Sequence, residues 1–444
     1  MAARDRRSAP PTGVGKPKWT YNRNPRDAGR VVNAAPDLQE LFDEYQRLVE
    51  IPSAPGFEHG VAVHLVEVFG RHCDEVKVDY MGNVYGIRRG QPGGPVLYCV
   101  AHTDSTSFIT QYIEPTGYVR FANQGLIPPY LAYGQRMQIL TAEGRITGVV
   151  GTKPGHSVFS YAGGEGYYWP QVGPEGGMGV PMYDDLFVDI GARSREEAEA
   201  MGVRPGQQMV YDRDLQWLGD GSSGLATCRG HDDKCGVQAL VEAMKLLQGK
   251  ALYPTVYFVG AVQEEVGLRG AMNAATLINP DVCIGVDGDI AESGPSSDIG
   301  LGVPRNPGMG RAETAPTPGG GVYISINDIL WSAVAGLVGN FRLNERMIEL
   351  AEKHGIPHEI EGNCRYITSD PAAAQFAGAG GTPSITLKIP VRYTHGPVEV
   401  CSLSDILAAG RLLAAFVEEA EGLDMSFVDL PEADRALVKR REAF

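Results

Sequence analysis

Apolar positions begin to recur at helical spacing just after Pro36. Leu38, Leu41, Phe42, Tyr45, Leu48 and Val49 fall on one side of a 3.6-residue repeat and predict an amphipathic helix. A second helix fits 58–70, and two strand-like runs follow, EVKVDYMGNVYGIRR and PVLYCVAH, parted by a Gly/Pro turn. From 106 to 225 the texture changes to short strand-like pieces broken by Gly and Pro, which predicts a small β-rich barrel or sandwich. One helix interrupts it at SREEAEAMG, where Ser194 suits the N-cap. From 226 the helical and strand periods alternate again. HDDKCGVQALVEAMKLLQGK reads as a helix, TVYFVGAV and VCIGVD as strands covered on both faces, and SLSDILAAGRLLAAFVEEA as a closing helix. The pattern divides the chain into an α/β domain, 36–105 plus 226–420, split by a β-rich insert at 106–225. A basic Pro/Gly-rich arm at 1–35, read as flexible, and a mixed-charge tail at 421–444 flank it.

The chain has 444 residues, enough for more than one core. Apolar residues make up 43% and charged residues 21%, so the bulk of the chain can fold. Lys+Arg 39 against Asp+Glu 54 gives a net charge of −15, which argues against nucleic acid or an anionic membrane surface as partner. The seven cysteines are scattered and form no CxxC, which argues against a disulfide framework or a thiolate zinc site. No run approaches the roughly 20 apolar residues of a membrane span. The arm has no apolar signal core, and the expected location is the cytoplasm.

Candidate chemistry lies where apolar strands give way to loops, the place where open α/β sheets bind ligands. VLYCVAHTDS offers His102 and, two residues on, Asp104, spaced so that the carboxylate can hold the ring. GHDDKCG places Asp232 and Asp233 at a helix start, where either caps the helix or bridges two cations. His231 reads as their neighbour. GAVQEEVGLRGA puts Glu264 and Glu265 after a buried-type strand, so that one can bind metal and the other move a proton. VCIGVDGD carries Asp287 and Asp289, and IPVRYTHGPVEV carries His395. Taken together, two histidines and three carboxylates make a nitrogen/oxygen donor set suited to a pair of Zn²⁺, Co²⁺ or Mn²⁺ ions.

The ordered run AHTD, DDKCG, QEEVGLRGA, VDGD and RYTHGPVEV resembles the tetrahedral (TET) aminopeptidases, the glutamyl/deblocking family of dinuclear metallopeptidases. The likeness extends over roughly 36–420, through GFEHG, DDLFVDIGARSREEAEAMGVRPGQQMVYDR and SDPAAAQFAGAGGTPSITLKIP. It implies a zinc-peptidase-type α/β fold, with a mixed, mostly parallel sheet covered by helices and an inserted small β-barrel or PDZ-like domain used for dimerisation. It further implies His102, Asp232, Glu265, Asp287 and His395 as metal ligands, with Asp232 bridging. Glu264 is then the general base, Asp104 supports His102, and two divalent ions, zinc by preference, share a bridging hydroxide. The implied substrates are peptides with a free N-terminus, and the implied assembly is dimers built into a dodecamer. Ser105 stands where the family pattern has Glu. The residues alone leave open a related amidohydrolase, such as a carboxypeptidase or deacylase, or a non-catalytic shell protein.

Overall fold

The computed structural model describes residues 35–151, 182–291, 316–329, 336–362, 368–378, 380–423 and 425. The basic arm and nearly all of the tail lie outside them.

Helices α1 (Pro36–Val49) and α2 (His59–Gly70) lead into β1 (Glu75–Val78), β2 (Val84–Arg88) and β3 (Val96–His102). Six strands then close a barrel: β4 (Ser107–Ile113), β5 (Val119–Gln124), β6 (Arg136–Leu140), β7 (Arg145–Gly151), β8 (Phe187–Asp189) and β9 (Gln208–Tyr211). Two short helices, α3 (Pro129–Ala132) and α4 (Arg195–Ala200), decorate it. Ser194 caps α4 by accepting from the Glu197 N–H, as its place before two acidic residues predicts. The chain returns through β10 (Gln216–Trp217) and β11 (Leu225–Cys228) to α5 (His231–Leu246), β12 (Thr255–Ala261), α6 (Arg269–Ile278) and β13 (Val282–Ile290). It ends with β14 (Val322–Ser325), β15 (Asn327–Ile329), β16 (Gly336–Val338), α7 (Phe341–Lys353), β17 (His358–Glu361), α8 (Pro371–Ala374), β18 (Ser384–Arg392), β19 (Glu399–Ser402) and α9 (Leu403–Glu418).

The large sheet has 11 strands in the order β1-β2-β12-β3-β13-β18-β19-β11-β10, with β14 and β17 joined through β18. Its centre, β12-β3-β13-β18, is parallel. Those strands are buried on both faces, which is why they read as unbroken apolar runs. The sheet is mixed, as expected, but the expectation that it is mostly parallel needs correction. β1, β2, β19, β11 and β10 all pair antiparallel, as does β14 with β18, so the sheet is mixed. The reason is connection length. Five residues separate β1 from β2 and six separate β18 from β19, which permits only a reversal, whereas parallel neighbours need a long crossover. β10 also belongs to the large sheet, so the strands of the barrel run from Ser107 to Tyr211.

Leu41, Phe42, Tyr45, Leu48 and Val49 of α1 join α5 and α9 in the main core, while Phe108, Val119, Phe121, Met137, Val188 and Met209 fill the barrel. Only four residues separate the end of β3 from the start of β4. The carboxyl ends of β3, β12 and β13 therefore open against the barrel wall, which is where the polar residues gather. Six cysteines are free, and Cys364 lies outside the described residues. No helix among the described residues is long and apolar enough to cross a membrane.

Candidate metal centre

His102 ends β3 and is 2% exposed. Its Nδ1 lies 3.0 Å from the backbone carbonyl of Asp104. A carbonyl only accepts, so Nδ1 carries the hydrogen and the Nε2 lone pair faces the other way. There it meets Asp232 Oδ1 at 3.2 Å, Asp287 Oδ1 at 3.6 Å and Glu264 Oε2 at 3.7 Å. His395, in the turn between β18 and β19, repeats the arrangement from the opposite side. Its Nδ1 donates to the Leu126 carbonyl at 2.8 Å, and its Nε2 faces Asp232 Oδ2 at 3.4 Å and Glu265 Oε2 at 3.5 Å. The two imidazoles thus address the two oxygens of one carboxylate.

Lone pairs set against carboxylate oxygens repel unless a proton or a cation lies between them. Donors about 2.0–2.1 Å from one tetrahedral ion stand about 3.3 Å apart. The gaps from His102 Nε2 to Asp232 and Asp287 are 3.2 and 3.6 Å, and those from His395 Nε2 to Asp232 and Glu265 are 3.4 and 3.5 Å. Asp232, Glu265 and His395 also form one of the clusters whose donor atoms lie within 4.8 Å of each other. The electrostatics point the same way. Burial pushes the Glu264 carboxyl well above its ordinary range and Glu265 to about 7, against the pull of the histidines. Burial opposes protonation of both imidazoles, yet the surrounding carboxylates hold His102 well above its usual range and His395 at about 10. This donor set fits divalent cations.

The aspartate pair divides its work. Asp232 and Asp233, joined by a cis peptide, have non-helical backbones ahead of the regular part of α5. Asp233 Oδ1 accepts from the Gly236 N–H at 2.9 Å, as an N-cap does, and its Oδ2 accepts from the His102 N–H at 3.1 Å. Capping is therefore the role of Asp233, while Asp232 is left to face the histidines. Although Asp233 clusters with His102 and Asp287, both its oxygens are committed to backbone.

Asp104 lies beside His102, as the sequence leads one to expect, and does more besides. Its carboxylate is 3.6 Å from His102 Nδ1, farther than its own carbonyl. Its two oxygens also accept from the Glu264 and Glu265 N–H groups, at 3.0 and 3.1 Å. Glu58 Oε1 accepts from the preceding Gln263 N–H at 3.1 Å. Three successive amides, those of Gln263, Glu264 and Glu265, are thereby held by two buried carboxylates.

Several contributors were not singled out from the sequence. Glu399 accepts from the Asp232 and His395 N–H groups, at 3.1 and 2.9 Å. Thr106 N–H donates to Glu265 Oε1 at 3.2 Å. Asp370 is 3% exposed, neither oxygen finds a partner among the described residues, and burial pushes its carboxyl to about 8. Only Glu399, four residues past His395 at a strand start, left a local signal. His231 is a neighbour, as expected: fully buried, it contacts the Tyr45 hydroxyl at 3.0 Å and the Ala226 carbonyl at 3.2 Å. Asp289 turns from the site to Lys388, 3.7 Å away, which also pairs with Asp328 and Glu361.

Residues 82–412 match the M42 glutamyl aminopeptidase family. A putative aminopeptidase of Acetivibrio thermocellus is 31% identical over 379 residues, covering 84% of this chain and 98% of that protein. The lysyl aminopeptidase of Pyrococcus furiosus is 28% identical over 382 residues, covering 86% and 98%. Among solved structures, the Pyrococcus horikoshii TET1 peptidase, which can assemble into a tetrahedron or a large octahedral shell, superposes with a TM-score of 0.68 at 27% identity. The match covers 85% of this chain and 99% of that one.

Proposed function

This chain belongs to the M42 glutamyl aminopeptidase family and is therefore a peptidase; on that premise we propose that it is a two-metal aminopeptidase that removes residues from the free N-terminus of peptides. The observation that carries this reading is the placement of the His102 and His395 Nε2 atoms on opposite oxygens of Asp232. His102, Asp232 and Asp287 would hold one divalent ion, and His395, Asp232 and Glu265 the other, with zinc the first candidate and cobalt or manganese also suited. Bound there, such ions supply Lewis acidity to a peptide carbonyl and lower the pKa of water. Glu264 is the general base: its Oε2 lies beside the His102 half-site, and its burial and raised proton affinity suit it to take a proton and pass it to the leaving amine. Asp104 and Glu58 fix the loop that carries it. The barrel is proposed as the dimerisation domain and the dodecamer as the assembled form, by likeness to the TET peptidases. The proposed location is the cytoplasm.

The test is an aminoacyl-nitroanilide panel run on protein stripped by chelator and then given Zn²⁺, Co²⁺ or Mn²⁺. The reading expects activity only after metal is restored, and only on substrates with a free amine. Turnover that survives stripping removes the metals, and preference for N-acylated substrates moves the enzyme to the deacylases.

A further inference from the structure

A small cavity lies at the seam between the barrel and the large sheet, apart from the metal-facing donors. Ser53, Ser105, Tyr211, Arg229, Gly230 and Glu399 are in its wall, and its volume of about 10 Å³ holds one water-sized occupant. Two of its hydroxyls, Ser53 Oγ and Tyr211 Oη, are buried with no hydrogen-bond partner, on residues 1% and 3% exposed. Buried hydroxyls are costly unless a partner is supplied, and here the cavity is where one can sit.

Lys234 stands against the same wall. It is fully buried, and its Nζ has one hydrogen-bond partner among the described residues, Ser105 Oγ at 3.2 Å. A Cβ on Gly230 would lie 2.7 Å from that Oγ and 3.6 Å from the Nζ. The serine oxygen accepts from the lysine, which leaves the serine hydrogen to be donated elsewhere. No carboxylate among the described residues forms an ion pair with Lys234. Glu399 lines the cavity, but its two oxygens accept from the Asp232 and His395 amides, and those of Asp104 accept from the Glu264 and Glu265 amides. The charge that acts most strongly on Lys234 is the like charge of Arg229, ahead of both carboxylates. Three hydroxyls and two buried cations thus surround one small space. Water there would satisfy the hydroxyls but leave the ammonium without a counter-charge, and an unpaired buried charge is the costlier of the two.

We infer that this cavity is a binding site for a small monovalent anion of the chloride class, held by the hydroxyls of Ser53, Ser105 and Tyr211 and by the charge of Lys234 and Arg229. The inference goes beyond the peptidase reading and does not depend on it. Ser53 comes from the link between α1 and α2, Ser105 from that between β3 and β4, Tyr211 from the end of β9, and Arg229 from the residues ahead of α5. The anion therefore ties the barrel to the sheet, next to the carboxylate that holds the Asp232 and His395 backbones.

The experiment uses the full-length, zinc-loaded protein. Crystals are grown from sodium bromide, and the unfolding midpoint is measured in potassium chloride and in potassium gluconate at equal ionic strength, gluconate being too large for the cavity. The expected results are a bromine anomalous peak in contact with Ser53 Oγ and Tyr211 Oη, and a midpoint that rises by about 1–2 °C and saturates as chloride replaces gluconate. Two variants remove both effects: Ser105→Glu, whose carboxylate takes the anion's place beside Lys234, and Lys234→Met, which removes the charge. Only the difference between chloride and gluconate is read, so a variant that is merely less stable stays informative, and either one serves if the other does not fold. Water in the cavity of the bromide crystals overturns the inference. So does a bromine peak with no chloride effect in solution, which is binding at crystal concentration only, or a chloride effect that persists in a variant.

Discussion

His102 and Asp287 reach Asp232 from neighbouring parallel strands deep in the sheet, whereas His395 and Glu265 reach it from a turn and a loop that lean on the barrel. The first pair is 2% and 8% exposed, and the His102 tautomer is set by a carbonyl only two residues away. The second pair depends on the other unit: the Leu126 carbonyl fixes the His395 ring, and the Thr106 N–H steadies Glu265. One half-site is thus a product of strand register, and register between buried strands is hard to disturb. The other depends on how the barrel seats against the sheet and on a strained turn. The two halves should differ in metal affinity for this reason alone, the sheet-borne site binding first and releasing last.

The residue common to both halves gives the largest expected effect. Asp232→Asn should abolish turnover and bring metal content close to zero, whereas retention of both ions would break the shared-carboxylate geometry. Glu264→Gln comes next: turnover should fall about 10²–10⁴-fold while both ions remain, measured by steady-state kinetics alongside metal analysis. His395→Ala sharpens the contrast. It should retain about one ion per chain under dialysis that leaves two in wild type, while His102→Ala loses more.

A subtler probe of the barrel contact is Gly125→Ala. Gly125 has φ 85°, and a Cβ there would stand 2.6 Å from Thr106 Cγ2 and 3.4 Å from Glu265 Oε2. Disturbing such supporting groups typically costs about 10–100-fold in metal affinity, and here it should fall on the second ion only, as calorimetric titration would resolve. Far from both halves, Glu419 accepts from Lys353, His354 and Arg346, and these donors hold its carboxyl near about 2. Its stabilisation is present above the unfolded carboxyl value of 4.5 and is lost as pH falls toward about 2. Glu419→Gln should cost less than about 1 kcal/mol, since the group is largely at the surface, and should leave both metals untouched.

The candidate site residues were legible in the sequence because metal-competent polar groups interrupt apolar runs at His102, Glu264, Glu265 and Asp287, and such interruptions in buried strands demand an explanation. The buried centre of the sheet was legible because its strands read as nearly unbroken apolar runs. Its antiparallel flanks were not, since a strand's own pattern does not name its neighbour. Nor could the chain announce that Leu126 would steady His395, because that contact spans 269 positions. The spacing of Asp104 from His102 points to that ring, which its carboxylate does pair with at 3.6 Å, but not to the amides about 160 positions away that it also holds. Local spacing identifies which groups can do chemistry. What holds those groups is a matter of tertiary structure.

The most direct test is anomalous diffraction from crystals of the zinc-loaded protein. Two peaks are predicted, each about 2.0–2.2 Å from a different oxygen of Asp232, one beside His102 Nε2 and the other beside His395 Nε2. A single peak, or two that do not share Asp232, would contradict the account.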